Sequence, residues 1–246
     1  MRTDHLLTGL ALVVMSLAVG CSTGGTASSA PSGASIGTPA TTPFVSSSGV
    51  AASSDCVPVA DPQVAPPTAT PLAEPPQAPA GDGTRATLET EAGDIVVELF
   101  TSSSPVAAEN FANLARAGFY DCLIFHRVIP GFVIQGGDPD GTGRGGPGYT
   151  IRDDAVVGEY EQGFLAMARP AGQGGVLVPD SQGSQFFIIL DDLRERLPKS
   201  GMYAIFGRVV AGMDVVDTIA AGQTTGSPED RPVDPVTIRT VTVQAP

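Results

Sequence analysis

Phe125-His126-Arg127-Val128-Ile129-Pro130-Gly131-Phe132-Val133-Ile134-Gln135-Gly136-Gly137 is the stretch whose reading decides the fold. Two short apolar runs, Leu123–Phe125 and Phe132–Ile134, flank Pro130-Gly131. Proline presets the first residue of a turn and glycine supplies positive φ at the next, which predicts a tight reversal between strands. Strand side chains alternate, so Arg127 and Ile129 share one face while His126 and Val128 share the other. An arginine in so apolar a run has two readings. It is either an edge-strand charge placed against aggregation or a guanidinium set into an apolar groove to make directed hydrogen bonds.

A second stretch answers the first. Gly183-Ser184-Gln185-Phe186-Phe187-Ile188-Ile189 reads as a strand with Gln185 and Phe187 on one face. FHRVIPGFVIQGGDP, GTGRGGPGY, GFLAMA, GSQFFI and FGRV then follow one another in an order that resembles the cyclophilin family of peptidyl-prolyl cis-trans isomerases. The resemblance spans roughly residues 85–243, a domain of ordinary size. It implies a mainly β fold, a closed eight-stranded antiparallel barrel capped by two α-helices. Many short strands with Gly/Pro turns are consistent with such a barrel.

Composition narrows the chemistry independently. A net charge of -13 argues against a nucleic-acid-binding surface. Of the two histidines, His5 lies in the leader, leaving His126 as the one candidate for a triad and too few for a multi-histidine metal site. His126 itself reads as mostly structural, behind the sheet.

Residues 1–21 read as a lipoprotein signal: Arg2, an apolar segment Leu6–Val19 too short to span a bilayer, and Leu17-Ala18-Val19-Gly20-Cys21. The last five residues resemble a bacterial lipobox with Cys21 as the lipidated residue; the alternative is an ordinary secretory signal cut nearby. Residues 22–84, rich in Ser and Thr and then in Pro, read as a disordered, locally polyproline-like tether. Residues 85–246 remain as the folded domain. An exported protein held at the membrane, with its domain on the extracytoplasmic side, is expected. In that setting Cys56 and Cys122 are free to pair or to stay apart.

Along the domain, Arg85–Thr90 and Ile95–Phe100 read as a hairpin. Ser104-Pro105 starts a helix with Ser as N-cap, and Val106, Asn110, Phe111, Leu114 and Ala115 give its apolar stripe up to Gly118. Strands follow at Gly163–Ala168, Ser184–Leu190 and Tyr203–Val210, then a helix at Met213–Ala221 and a last strand at Val236–Val243. The literal G-x-G-x-x-G at Gly141–Gly146 is not a dinucleotide site, because Pro147-Gly148 follows where a helix should start. Tyr149 stands where the closing Glu of a calcium loop belongs. By resemblance this is a glycine loop lining the substrate groove.

The resemblance implies that Arg127 donates to the prolyl nitrogen and that Gln135 holds its guanidinium. Gln185 bonds the peptide backbone, and Phe132, Val133, Phe187 and Leu197 form the pocket for the proline ring. Ala168 and Arg169 border the groove, with His126 and Tyr203 also along it. Trp is absent, so Leu197 stands in the pocket wall where many members carry Trp, and Tyr203 where many carry His. The implied partners are proline-containing segments of exported proteins, with no cofactor, no metal and a monomeric state. The competing reading is a tethered proline-peptide-binding module or chaperone that needs no turnover.

Overall fold

The computed structural model describes residues 56–59, 62, 64–197 and 203–246. The signal segment and Cys21 lie outside these residues. Among the described residues there are eight strands: β1 Arg85–Thr90, β2 Gly93–Leu99, β3 Arg127–Ile129, β4 Val133–Gly136, β5 Phe164–Met167, β6 Phe186–Ile189, β7 Ile205–Ala211 and β8 Ile238–Gln244. Two helices, α1 Pro105–Arg116 and α2 Met213–Ala220, complete the fold. All pairings are antiparallel, in the order β3-β4-β6-β5-β7-β2-β1-β8.

The sheet is curled, and its end strands β3 and β8 do not pair directly. The segment leading into β3 joins them instead: Cys122 and Phe125 donate to Ile238 and Val236 carbonyls at 2.8 and 3.1 Å, and Ile238 N–H returns to Leu123 O at 2.7 Å. The apolar run Leu123–Phe125 therefore serves this closure rather than lengthening β3.

Alternation along the strands buries both faces of this part of the sheet. Val128, Ile134, Phe186, Ile188, Leu165 and Phe206 face the main core, together with Phe111 and Leu114 of α1. Val133, Phe187, Ile189, Ala166 and Ile205 face a second apolar cluster on the other side, completed by Phe100, Phe132, Tyr160, Leu193, Leu197 and Tyr203. Burial of large side chains at about 25 cal/mol per Å² is what holds two such layers together.

The start of α1 differs from expectation. Ser104 Oγ donates to Ile205 O at 2.6 Å and makes no cap. The buried Asp154 carboxylate accepts from Ala107 N–H at 2.8 Å instead, supplying the cap from a distant loop. The domain boundary also differs. Residues 64–84 contain no helix or strand, yet Thr68 and Ala69 N–H donate to Glu109 at 3.2 and 2.7 Å and Ala80 N–H to Ser103 Oγ at 3.1 Å. Val64 and Ala69 pack against the main core. Arg85 thus begins the first strand, not the first packed segment. Cys56 and Cys122 form a disulfide with Cα atoms 5.5 Å apart, which fastens this N-terminal stretch to the closure segment.

Candidate active site

The Ile129-Pro130-Gly131-Phe132 turn is closed by Phe132 N–H to Ile129 O at 3.0 Å, with Gly131 at φ 66. A side chain at residue 131 would be strained there, which explains the glycine. The turn sets β3 against β4 so that Arg127 lies opposite Gln135. Gln135 lies opposite Phe187 on β6, and Phe187 opposite Ala166 on β5. Directly opposed residues share a face, so Arg127, Gln135, Phe187 and Ala166 form one row across four strands.

The row separates two environments. On one side is a cleft of about 570 Å³ lined by His126, Arg127, Gln135, the 142–147 loop, Ala168, Arg169, Gln185 and Pro228. On the other is the apolar cluster holding Phe132, Val133, Phe187, Leu197 and Tyr203. The Phe187 and Tyr203 rings meet edge-on at 5.2 Å. The expected proline-pocket residues are brought together, but they are buried rather than lining the cleft. Leu193 is buried in the same cluster, and the Arg196 guanidinium lies 4.6 Å from the Phe132 ring centre while donating to Gly131 O at 3.1 Å. Nothing in the sequence pattern singled out Arg196.

The polar contacts also differ from expectation. Gln135 Nε2 donates to Gln185 Oε1 at 2.9 Å and Gln185 Nε2 to Gly145 O at 2.9 Å, so the two amides link the strand row to the glycine loop. The guanidinium of Arg127 is held elsewhere, by Asp230 at 3.2 Å. Arg169 borders the cleft as expected, but its buried side chain pairs with Asp153. Asp153 also accepts from Gln182 Nε2 at 2.8 Å and Asp180 N–H at 3.1 Å, anchoring the stretch that leads into Gln185.

His126 lines the cleft, buried, with neither ring nitrogen hydrogen-bonded. Burial pulls its pKa down to about 4; the Asp138 carboxylate opposes this, and Arg231 and Arg127 add to it. The imidazole is therefore neutral near pH 7. Helix α1 supports the site from behind: Asn110 Nδ2 donates to Gly183 O at 2.8 Å, and Asn110 Oδ1 accepts from Tyr149 OH at 2.9 Å. Tyr120 OH reaches Ser184 O at 3.1 Å, fixing the backbone just before Gln185.

The family model for cyclophilin type peptidyl-prolyl cis-trans isomerases matches residues 85–243. A peptidyl-prolyl cis-trans isomerase of Arabidopsis thaliana is 40% identical over 161 residues, which are 65% of this chain and 95% of the relative. One from Helicobacter pylori is 42% identical over 141 residues, 56% of this chain and 80% of its own. Among solved structures, the cyclophilin type isomerase of Cryptosporidium parvum, determined in the presence of the dipeptide Ala-Pro, is 34% identical with a TM-score of 0.58. The match covers 66% of this chain and 99% of that one.

Proposed function

This chain belongs to the cyclophilin-type peptidyl-prolyl cis-trans isomerase family, and from that premise we propose that it turns Xaa-Pro bonds of exported proteins with Arg127 as the donor. Amide resonance sets a rotational barrier of about 18–20 kcal/mol. At the twisted transition state the prolyl nitrogen becomes pyramidal and gains a lone pair. A donor aimed there binds the twisted state better than either planar one, and only such differential binding lowers the barrier. The observation that carries this reading is the row Arg127–Gln135–Phe187, which sets a guanidinium at the edge between an open cleft and a buried apolar cluster.

In this reading the peptide runs along the cleft, and the proline ring turns toward Phe132 and Phe187. The ring displaces Arg196 from Phe132 as it enters. Ala-Pro, present with the Cryptosporidium relative, is the smallest probe of this arrangement. An exported setting is supported by the Cys56–Cys122 disulfide, since such bonds persist in oxidising compartments. Anchoring through Cys21 rests on the lipobox-like sequence alone; an unmodified mature N-terminus in the culture fluid would refute it.

Arg127→Ala in a protease-coupled proline-isomerisation assay tests the donor. Removing one preorganised donor costs about 10²–10³ in rate where such donors carry catalysis, so kcat/KM is expected to fall by that order with folding intact. Wild-type acceleration that survives the substitution would remove Arg127 from the mechanism.

A further inference from the structure

The geometry points to Asp230 as a positioning residue for Arg127. The inference rests on the reading of Arg127 as the donor and adds what holds it. The loop 224–232 lies against β3 and makes two separate bonds there. Asp230 O accepts from Val128 N–H at 2.9 Å, fixing the backbone one residue past Arg127. Its carboxylate Oδ2 accepts from Arg127 Nη2 at 3.2 Å, fixing the side chain. The two side chains are 17% and 14% exposed, so water competes weakly for the pair.

The loop is built to hold that posture. Asp230 sits at φ 51, a left-handed conformation that few non-glycine residues adopt and that Asp and Asn tolerate best. Its N–H donates to Gly226 O at 2.9 Å, and Thr225 N–H donates to Arg231 O at 2.8 Å across the loop base. Arg231 Nη1 donates to Gly141 O at 3.2 Å, tying the loop to the glycine loop on the far side of the cleft. Residues in such sparsely populated conformations persist where the surroundings over-determine them, often at functional sites.

A guanidinium carries five N–H donors in a rigid plane. Asp230 engages one nitrogen, Nη2, and leaves the other edges of the plane for the substrate. Gln135 donates through Nε2 to Gln185 and its buried Oε1 accepts no hydrogen bond, so in this structure the guanidinium is held by Asp230 and not by Gln135. Without the carboxylate, the side chain is free to rotate and the donor must be ordered anew in each turnover.

The test uses the purified full-length chain and two variants chosen to keep the left-handed backbone. Asp230→Gly removes the carboxylate, whereas Asp230→Asn keeps an oxygen acceptor. Coupled-proteolysis kinetics should give about a tenfold loss of kcat/KM in the Gly variant, mainly in kcat, and at least a third of wild-type activity in the Asn variant. Nitrogen-15 NMR of the guanidinium supplies a readout that a merely structural loop would not move. Rotation about the Arg127 Nε–Cζ bond should be slow in the wild type and fast in Asp230→Gly. Wild-type activity retained within twofold by the Gly variant would overturn the inference alone. So would Arg127 rotation as fast as that of exposed Arg144 in the wild type, or an Asn variant no better than Gly. A folded wild type that accelerates nothing would sink the isomerase reading itself.

Discussion

Breaking the Cys56–Cys122 bond should cost this protein a large part of its stability while leaving the active-site row in place. The bond closes a loop with a sequence separation of 66 residues. Chain-entropy reasoning gives about 4 kcal/mol for a loop of that length, acting mainly by restricting the unfolded chain. For a protein of this size 1 kcal/mol moves Tm by about 2–4 °C, so a fall of about 8–16 °C is expected. The substitution to make is Cys56→Ser. Cys122 stands at φ 66 within the closure segment, and changing it would mix strain at that residue with loss of the bond. Thiol labelling of denatured, unreduced wild type should first find neither cysteine reactive. Differential scanning calorimetry of wild type and variant then reads the shift, with isomerase activity at 20–25 °C as the control for an intact site. A Tm lowered by less than about 3 °C would refute the reasoning. It would mean that the stretch from Cys56 to Thr84 peels away separately and that its tether adds nothing to the cooperative unit. The contacts at Glu109 and Ser103 argue against that outcome.

Two further perturbations follow from single contacts. Burial raises the Asp154 carboxyl from 3.8 to about 6, against the bonds from Ala107 and Val106 that lower it and with the help of Asp153 that raises it. A raised folded pKa means that the native state binds the extra proton between those values, so the contribution is full below pH 4 and is lost as pH rises through 6. Asp154→Asn keeps an oxygen for Ala107 N–H and should therefore match wild type near pH 4 and exceed it by about 1–2 kcal/mol at pH 8, allowing for partial solvation. Parallel Tm-versus-pH curves for the two proteins would contradict this. Arg196→Ala should uncover Phe132; losing a cation–π contact worth about 0.5–1 kcal/mol at an exposed site predicts a KM two- to fivefold lower at constant kcat. An unchanged or raised KM would show that Arg196 is not an obstacle to the proline ring.

What the sequence disclosed and what it withheld divide along a physical line. The grouping of Arg127 with Gln135 and Phe187 rests on the family resemblance, but strand alternation with period two sets Arg127 on the face of Ile129 and Gln185 on the face of Phe187, and Pro130-Gly131 signals the reversal between β3 and β4. Helix α1 was legible for the same kind of reason: its buried Val106, Asn110, Phe111 and Leu114 repeat at helical spacing. Asp154 capping α1 from 47 residues away, and Asp230 pairing with Arg127 across 103, have no such local signature. Both depend on where loops land once the sheet has curled. The expected roles of Ser104 and Gln135 were assigned by nearness in sequence or by analogy, and each was displaced by a partner that only the closed fold brings near. Whether Cys122 pairs with Cys56 or stays free is likewise decided only by where the N-terminal stretch lands on the closed sheet.

These long-range contacts have a common origin in the closure of the sheet. β3 and β8 are its two ends, and the bonds between 122–125 and 236–238 join them. That joint carries the connection from α2 to β8 alongside β3, which is how loop 224–232 comes to hold Arg127 from outside the strand row. It also carries Cys122 and so the N-terminal segment. Arg127 is therefore held by the same joint that completes the fold, and loosening the joint should disturb its side chain before it unfolds the main core. Hydrogen exchange would read this as earlier opening at Val128 N–H, which bonds Asp230 O, than at Ile188 in the sheet centre. Equal protection at the two amides would instead make the joint and the core one cooperative unit, with the orientation of Arg127 lost only when the whole domain unfolds.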